Sequence, residues 1–388
     1  MEQLIEEAAD DLLALRREFH AHPELSFEEV RTAEVVARRL RELGLEVREA
    51  VGRTGVVGRL FGRSGGRVVA LRADVDGLPI QEENQAPYAS RNPGVMHACG
   101  HDGHTAILLT VARVLARLRD SFAGEVRFIF QPAEETSGGA SAMLADGAFA
   151  DPKPQAVFGL HLWTNLPVGL IGIREGPLFA HTDELDIVVK GSGGHGAMPQ
   201  QTVDPIVVAA QIVLALQTMV SRETSPLEPS VVTIGSIHGG TAFNIVPPEV
   251  RLRGTVRTFT DALQAQMRER IESVVRGITS GMRASYDYDY RSCCPAVVND
   301  PAMTDLVRRV ALRSFPANQV TVPTQTMGGD DMSCFLKEAP GCYILLGAAN
   351  PARGITAPHH NPRFDLDEAA MPVGVRLLAE TALEFLGS

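Results

Sequence analysis

Residues 67–80 read RVVALRADVDGLPI, and this stretch sets the frame of the fold. A short apolar run, Val68 to Leu71, reads as a buried strand. It gives way to Asp74 and Asp76 and is closed by Pro79. The same grammar recurs at 124–135, GEVRFIFQPAEE, where the run ends in Glu134 and Glu135. It recurs at 156–163, AVFGLHLW, with His161 near the end, and again at 341–350, GCYILLGAAN. Between the first two runs lies HTAILLTVARVLARL, an apolar helix expected to pack on a sheet. Apolar runs alternating with helices imply an α/β fold: a mixed, mostly parallel sheet with helices on both faces. In such sheets ligands bind at the carboxyl ends of the strands, where these polar residues fall.

The texture changes between about 181 and 294. DELDIVVKG alternates as a half-exposed strand, followed by a helix (205–221), two strands, a helix (261–281) and the strand ASYDYDYRS. The order β-α-β-β-α-β is that of a ferredoxin-like unit. The expectation is a discontinuous catalytic domain, 1–181 and 295–388, with an inserted α+β lid domain at 182–294. A length of 388 residues suits two such domains.

Totals narrow the function. A net charge of −11 argues against nucleic acid as a partner. No run approaches the roughly 20 apolar residues of a membrane span, so no membrane partner is expected. The opening MEQLIEEAADDLLALRREFH is acidic and amphipathic, unlike a signal peptide. Five scattered cysteines do not make a disulfide framework. Together these lead to the expectation of a cytoplasmic protein with reduced thiols.

The chemistry concentrates in residues 96–106, MHACGHDGHTA. Cys99 and His101, two apart in a Gly-containing loop before a helix, can turn toward one point. Cysteine, histidine and carboxylate suit zinc or a similar divalent ion. Each element alone is bland. A Cys-x-His pair is common, paired glutamates usually form a solvated edge, and a lone His161 in an apolar run reads as a core histidine. Their joint occurrence in four segments is harder to dismiss. Cys99, His101, Glu135, His161 and His360 would suffice for two metal ions, leaving Glu134 free to act as a base.

At this point the chain resembles the metal-dependent amidohydrolases of the aminoacylase and carboxypeptidase family, in the branch of hippurate hydrolases, N-acyl-amino-acid amidohydrolases and auxin-conjugate hydrolases. The resemblance runs end to end, through RREFHAHPELSFEE, LRADVDGLPI, MHACGHDGHTA, FIFQPAEE, GLH, GSGGHGAMP, DPI, GGTAFNIVPPE, GTVRTF and HHNPRFD, in that order. It implies a dizinc-peptidase-like catalytic domain and two divalent ions per chain: Zn²⁺, Mn²⁺, Co²⁺ or Ni²⁺. It implies Cys99 as a thiolate bridging both, His101 and His161 on one ion, and Glu135 and His360 on the other. Glu134 would be the general base and then acid, and Asp76 would support the site from behind. Asp74 stands where distant relatives carry a ligand histidine and is not taken as a ligand. From the inserted domain, His195 would stabilise the oxyanion and Asn244 would meet the substrate carboxylate. Arg257 reads as structural rather than carboxylate-binding. Asp330 would support ligands; Asp102 reads as a cap of its helix or as orienting a ligand, and Cys334 as core.

The activity implied is hydrolysis of the amide of an N-acyl amino acid, with dipeptidase or carboxypeptidase action as the alternative. A homodimer through the lid domain is the expected assembly. A reading of different class comes from GSGGHG (191–196), which satisfies the G-x-G-x-x-G pattern of dinucleotide sites. Pro199 and Pro205 follow instead of a helix opening directly on phosphates, which weighs against it.

Overall fold

The computed structural model describes residues 1–387. The chain divides into two units. The larger comprises Met1–Gly176, Val298–Thr324 and Asp330–Ser388; the smaller comprises Pro177–Val297 and Gln325–Gly329.

The larger unit is built on one eight-stranded sheet. Its strands lie in the order Glu46–Val51, Gly55–Phe61, Ala123–Gln131, Arg63–Asp74, Ala156–Pro167, Gly341–Ala349, Ile171–Gly172 and Val320–Thr321. The four central strands run parallel, with Asp74 opposite Gln131, Arg72 opposite Gly159 and Leu345 opposite His161. The first two strands form an antiparallel hairpin on the edge. The register sets Asp74 and Gln131, the last residues of their strands, level with His161, midway along Ala156–Pro167.

Strand alternation divides the side chains between two layers. On Arg63–Asp74, Val69, Leu71 and Ala73 enter the main core with Leu108, Val111 and Leu378. Arg72 and Asp74, on the opposite face, are buried among polar partners. The helix His101–Arg117 is buried over nearly its whole surface, as its apolar sequence requires. It begins at Gly100, which has φ +88 and supplies no side-chain cap. The chain must turn there in a left-handed conformation that a glycine adopts freely.

The smaller unit carries a four-stranded antiparallel sheet in the order Val231–His238, Glu249–Thr258, His181–Lys190, Ser285–Cys294. Helices Pro205–Thr218 and Asp261–Gly281 bury Val208, Ile212 and Leu216, and Met267, Ile271 and Val275, against Leu185, Ile187 and Val189. This is the ferredoxin-like arrangement. Pro205–Glu223, 19 residues, is long and apolar enough to cross a membrane on length and composition alone. Its buried face packs into this unit's own core, while Ile206, Val207 and Leu214 are exposed.

Candidate metal centre

Loops at the carboxyl edge of the large sheet bring the donors together. Asp76, just past its strand, holds them in place. Its carboxylate accepts the Oγ–H of Ser26 at 2.7 Å and the backbone N–H groups of Glu134 and Glu135 at 3.1 Å each. It also receives Nδ1–H of His101 at 3.2 Å, and the same nitrogen lies 2.9 Å from the Asp76 carbonyl. Burial works against the Asp76 carboxylate, but the hydrogen bonds from His101 and Ser26 hold it below the usual carboxylate range. With Nδ1 engaged, Nε2 of His101 is left to face the centre.

Two donor groups share one cysteine. Cys99, His101 and His161 form the first; Cys99, Glu135 and His360 form the second. Sγ of Cys99 lies 3.5 Å from Nε2 of His161, and Oε2 of Glu135 lies 3.4 Å from Nε2 of His360. His360 has φ +64, and its N–H is tied to the carbonyl of Ala98, beside Cys99. Backbone held in a sparsely populated region next to a donor is a common mark of functional sites.

The donor set fits metal on its own evidence. Nε2 of His101 and Oε1 of Glu135 are buried without a hydrogen-bond partner. They stand 3.9 Å apart, too far to bond each other, so each is left with a lone pair for the ion of its own donor group. Burial opposes charge on His101, yet Asp74, Asp76 and Glu135 push its proton affinity up to about 10. Burial, then Glu135 and Glu134, push the Cys99 thiol well above its usual range. Two buried glutamates and a thiol crowded in this way call for positive charge.

Glu134 is turned to the same space. Its Oε2 lies 4.0 Å from Nε2 of His101, and it also groups with Asp330 and Asp331. Burial, then the charges of Asp330 and Glu135, push its carboxyl well above the usual range. Arg72 offsets the acidic cluster from behind, touching Asp74 at 2.7 Å and Asp330 and Asp331 at 3.2 Å.

The crowd at 96–106 therefore separates. Asp102 does not cap its helix as expected: it is fully buried and paired with Arg16 at 2.9 Å and His20 at 2.8 Å. His97 is buried with neither ring nitrogen hydrogen-bonded and belongs to neither donor group. Cys334, expected in the core, is only half-buried and lies 3.5 Å from Ser141.

In the smaller unit His195 and Asn244 are both exposed. They are neighbours across the two-residue ladder that pairs His195 with Ile245, and Gly196 donates to the Asn244 carbonyl at 2.8 Å. Nδ1 of His195 accepts the N–H of Ala197. No helix opens on GSGGHG: the motif holds a two-residue strand, Gly194–His195, and a single turn at Pro199–Gln201 follows. This removes the geometry a dinucleotide site needs. Arg257 hydrogen-bonds the carbonyls of Asp183 and Val256.

An open, mostly parallel sheet with a shared-cysteine donor set at its carboxyl edge defines a dinuclear metallohydrolase. The chain belongs to peptidase family M20/M25/M40, whose model matches residues 70–384. It is 48% identical over 307 residues to an N-acyl-L-amino acid amidohydrolase of Geobacillus stearothermophilus, covering 78% of this chain and 82% of that protein. It is 38% identical to thermostable carboxypeptidase 2 of Saccharolobus solfataricus, over 98% and 97% of the two chains. The crystal structure of the Bacillus subtilis YXEP protein, described as a dinuclear metal binding peptidase from the M20 family, matches with a TM-score of 0.87 at 36% identity, over 98% and 99% of the chains. The chain is a metal-dependent amide hydrolase, with residues suited to two metal ions.

Proposed function

We propose that the chain cleaves the linear amide bond of N-acyl amino acids, of the hippurate or N-acetyl-amino-acid kind, releasing a carboxylate and an amino acid. The observation that carries this reading is the place of Glu134, buried beside the shared donor set with a carboxyl of raised proton affinity. The relative named as an N-acyl-L-amino acid amidohydrolase supports the choice of substrate.

Bound by Cys99, His101 and His161 on one side and by Cys99, Glu135 and His360 on the other, two divalent ions would supply a water of lowered pKa and polarise the scissile carbonyl. Thiolate, imidazole and carboxylate donors suit Zn²⁺, Mn²⁺, Co²⁺ or Ni²⁺. Glu134 takes the proton of the attacking water and passes it to the leaving nitrogen, a task suited to a carboxyl that holds protons above its ordinary range. Asp76 keeps Nε2 of His101 and the Glu134–Glu135 turn in place. His195 donates to the developing oxyanion, and Asn244 to the substrate carboxylate.

Residues 182–294 serve in this reading as lid and dimer contact. The exposure of Leu214, Leu227, Ile237 and Phe243 supports an apolar contact on that unit. A cytoplasmic location accords with five free cysteines.

Glu134→Gln tests the chemistry: kcat falls by about 10²–10⁴ while metal content stays at the wild-type value. Full activity in that variant refutes the role. The relative named as a carboxypeptidase favours a second reading, peptide cleavage. A panel of hippurate, N-acetyl amino acids and dipeptides under each metal separates the two by the ratio of kcat/KM values.

A further inference from the structure

We infer that His104 is a positioning residue, which grips the peptide N–H between His161 and Leu162 and through that backbone aims Nε2 of His161 into the metal centre. The inference rests on the reading of His161 as a ligand.

His104 lies close enough to Asp74 and His101 to be taken for a ligand itself. Its hydrogen bonds say otherwise. The backbone N–H of Leu162 donates to its Nε2 at 2.8 Å, so that nitrogen is the acceptor. The proton then sits on Nδ1, which donates to Oδ1 of Asp74 at 2.6 Å. Both ring nitrogens are used, and neither has a lone pair to give. Asp74 is in turn fixed by Arg72 at 2.7 Å and, through its carbonyl, by Thr105 at 3.1 Å. Arg72, Asp74 and His104 are all buried.

The next peptide group, between Leu162 and Trp163, completes the device. Its carbonyl lies 2.8 Å from Nδ1 of His161 and 3.0 Å from Nε2 of His359. A carbonyl only accepts, so both rings donate to it. His161 is thereby held as the tautomer with its proton on Nδ1, and Nε2 keeps a lone pair, 3.5 Å from Sγ of Cys99. Two successive peptide groups are pinned: His104 accepts the N–H of the His161–Leu162 peptide, and His161 and His359 donate to the oxygen of the Leu162–Trp163 peptide. The rings of His104 and His161 pack edge to face at 4.7 Å, which resists rotation of either. Without the acceptor on His104, a buried N–H loses its partner and the His161–Leu162 peptide tilts, shifting the backbone of His161 itself and, across the Leu162 Cα, the next carbonyl that orients its ring.

Two substitutions at one position separate this role from mere packing. Glutamine can place its amide oxygen where Nε2 stands, keeping the acceptor for Leu162. Asparagine reaches only as far as Nδ1, keeping the contact with Asp74 and losing Leu162. Zn²⁺ is titrated into chelator-stripped protein against a chromophoric chelator. His104→Asn is expected to weaken one of the two ions by about 10–100-fold, the loss typical of removing a ligand's orienting partner. The second ion stays near the wild-type value, and His104→Gln stays within about threefold on both. Equal losses in the two variants, no loss in either, or equal weakening of both ions overturns the proposal. His161→Ala in the same titration isolates the underlying reading: if it leaves both ions untouched, the ligand assignment fails. If it weakens one while His104→Asn does not, the relay alone fails. Long-range ¹H–¹⁵N spectra of histidine-labelled wild-type chain need no variant to fold: a proton on Nε2 of His104 overturns the proposal directly.

Discussion

Arg16 and Arg17 are adjacent in sequence and both touch Glu368, yet replacing them by methionine should have very different consequences. Arg16 is fully buried. Its guanidinium contacts Asp102 at 2.9 Å, Asp365 at 2.7 Å and Glu368 at 3.2 Å, and it lies over the ring of Tyr88 at 4.6 Å. Asp102 is 0% exposed and keeps only His20 as a partner, so Arg16→Met removes the permanent charge that faces a carboxylate water cannot reach. Removing one partner of a buried pair costs about 3–5 kcal/mol. Arg17 is 48% exposed and its partner remains near solvent, so Arg17→Met costs about 1 kcal/mol or less. For a unit of this size the first loss corresponds to a drop in melting temperature on the order of 10 °C. Acid adds a second arm. Burial disfavours the Asp102 anion, but Arg16 and His20 hold its carboxyl far below the usual range. A carboxyl lowered in the folded state stabilises above its unfolded pKa of about 3.9 and loses that contribution as pH falls below it. Wild type should therefore lose stability steeply below about pH 4, and Arg16→Met less steeply. Urea and thermal unfolding of the full chain at pH 3–7 measure both. Equal destabilisation by the two substitutions, within about 0.5 kcal/mol, refutes the reasoning.

Stripping metal should lower the melting temperature: an ion present at 100 times its Kd adds about 2.7 kcal/mol, and calorimetry with and without chelator reads it. An unchanged melt would count against a loaded centre. In native metal-free protein a chromogenic disulfide reagent should modify Cys293 and Cys334, which are part-exposed, and spare buried Cys294 and Cys342, the latter thiol pushed up to about 12 by burial. Mass spectrometry of the labelled peptides identifies the sites, and early labelling of Cys342 contradicts the packing. Gly139→Ala would place a Cβ 1.6 Å from the Pro132 carbonyl oxygen, so the turn leading to Glu134 must shift. A loss of about 3 kcal/mol or more in urea unfolding is expected, and a neutral effect would show that the turn is not held as described.

What the sequence made legible was whatever repeats locally. Strands that end in Asp74–Asp76, Glu134–Glu135 and His161 carry their signal within a few residues, so the α/β fold and the edge that holds the chemistry can be read from them. Arg16 meets Asp365 and Glu368 from some 350 residues away, and nothing in RREFH announces a buried cation. Asp102 illustrates the limit. At the start of a helix it has the composition of a cap, but a left-handed Gly100 opens that helix and a long-range arginine claims the carboxylate. His104 was visible as a residue, yet its partner is the N–H of Leu162, and a backbone group leaves no mark in composition. The helix from Pro205 was legible for the opposite reason. Its apolar length alone would suit a membrane span, but the strands that flank it in the β-α-β-β-α-β order point to a sheet, on which its buried face lies.

The two donor groups are coupled more tightly than their separation in the chain suggests. His101 serves one group and Glu135 the other, but both depend on the carboxylate of Asp76, whose four hydrogen bonds use nearly all its acceptor capacity. Rotating that carboxylate to suit one group would unseat the other. Asp76 therefore sets the distance between the His101 nitrogen and the Glu134–Glu135 turn, while the relay through His104 governs His161 alone. Damage at Asp76 should be felt by both ions and by the proton carrier together. Damage at His104 should be felt on the side of His161, because its Nε2 holds the His161–Leu162 peptide, while Asp74, its partner at Nδ1, is held independently by Arg72.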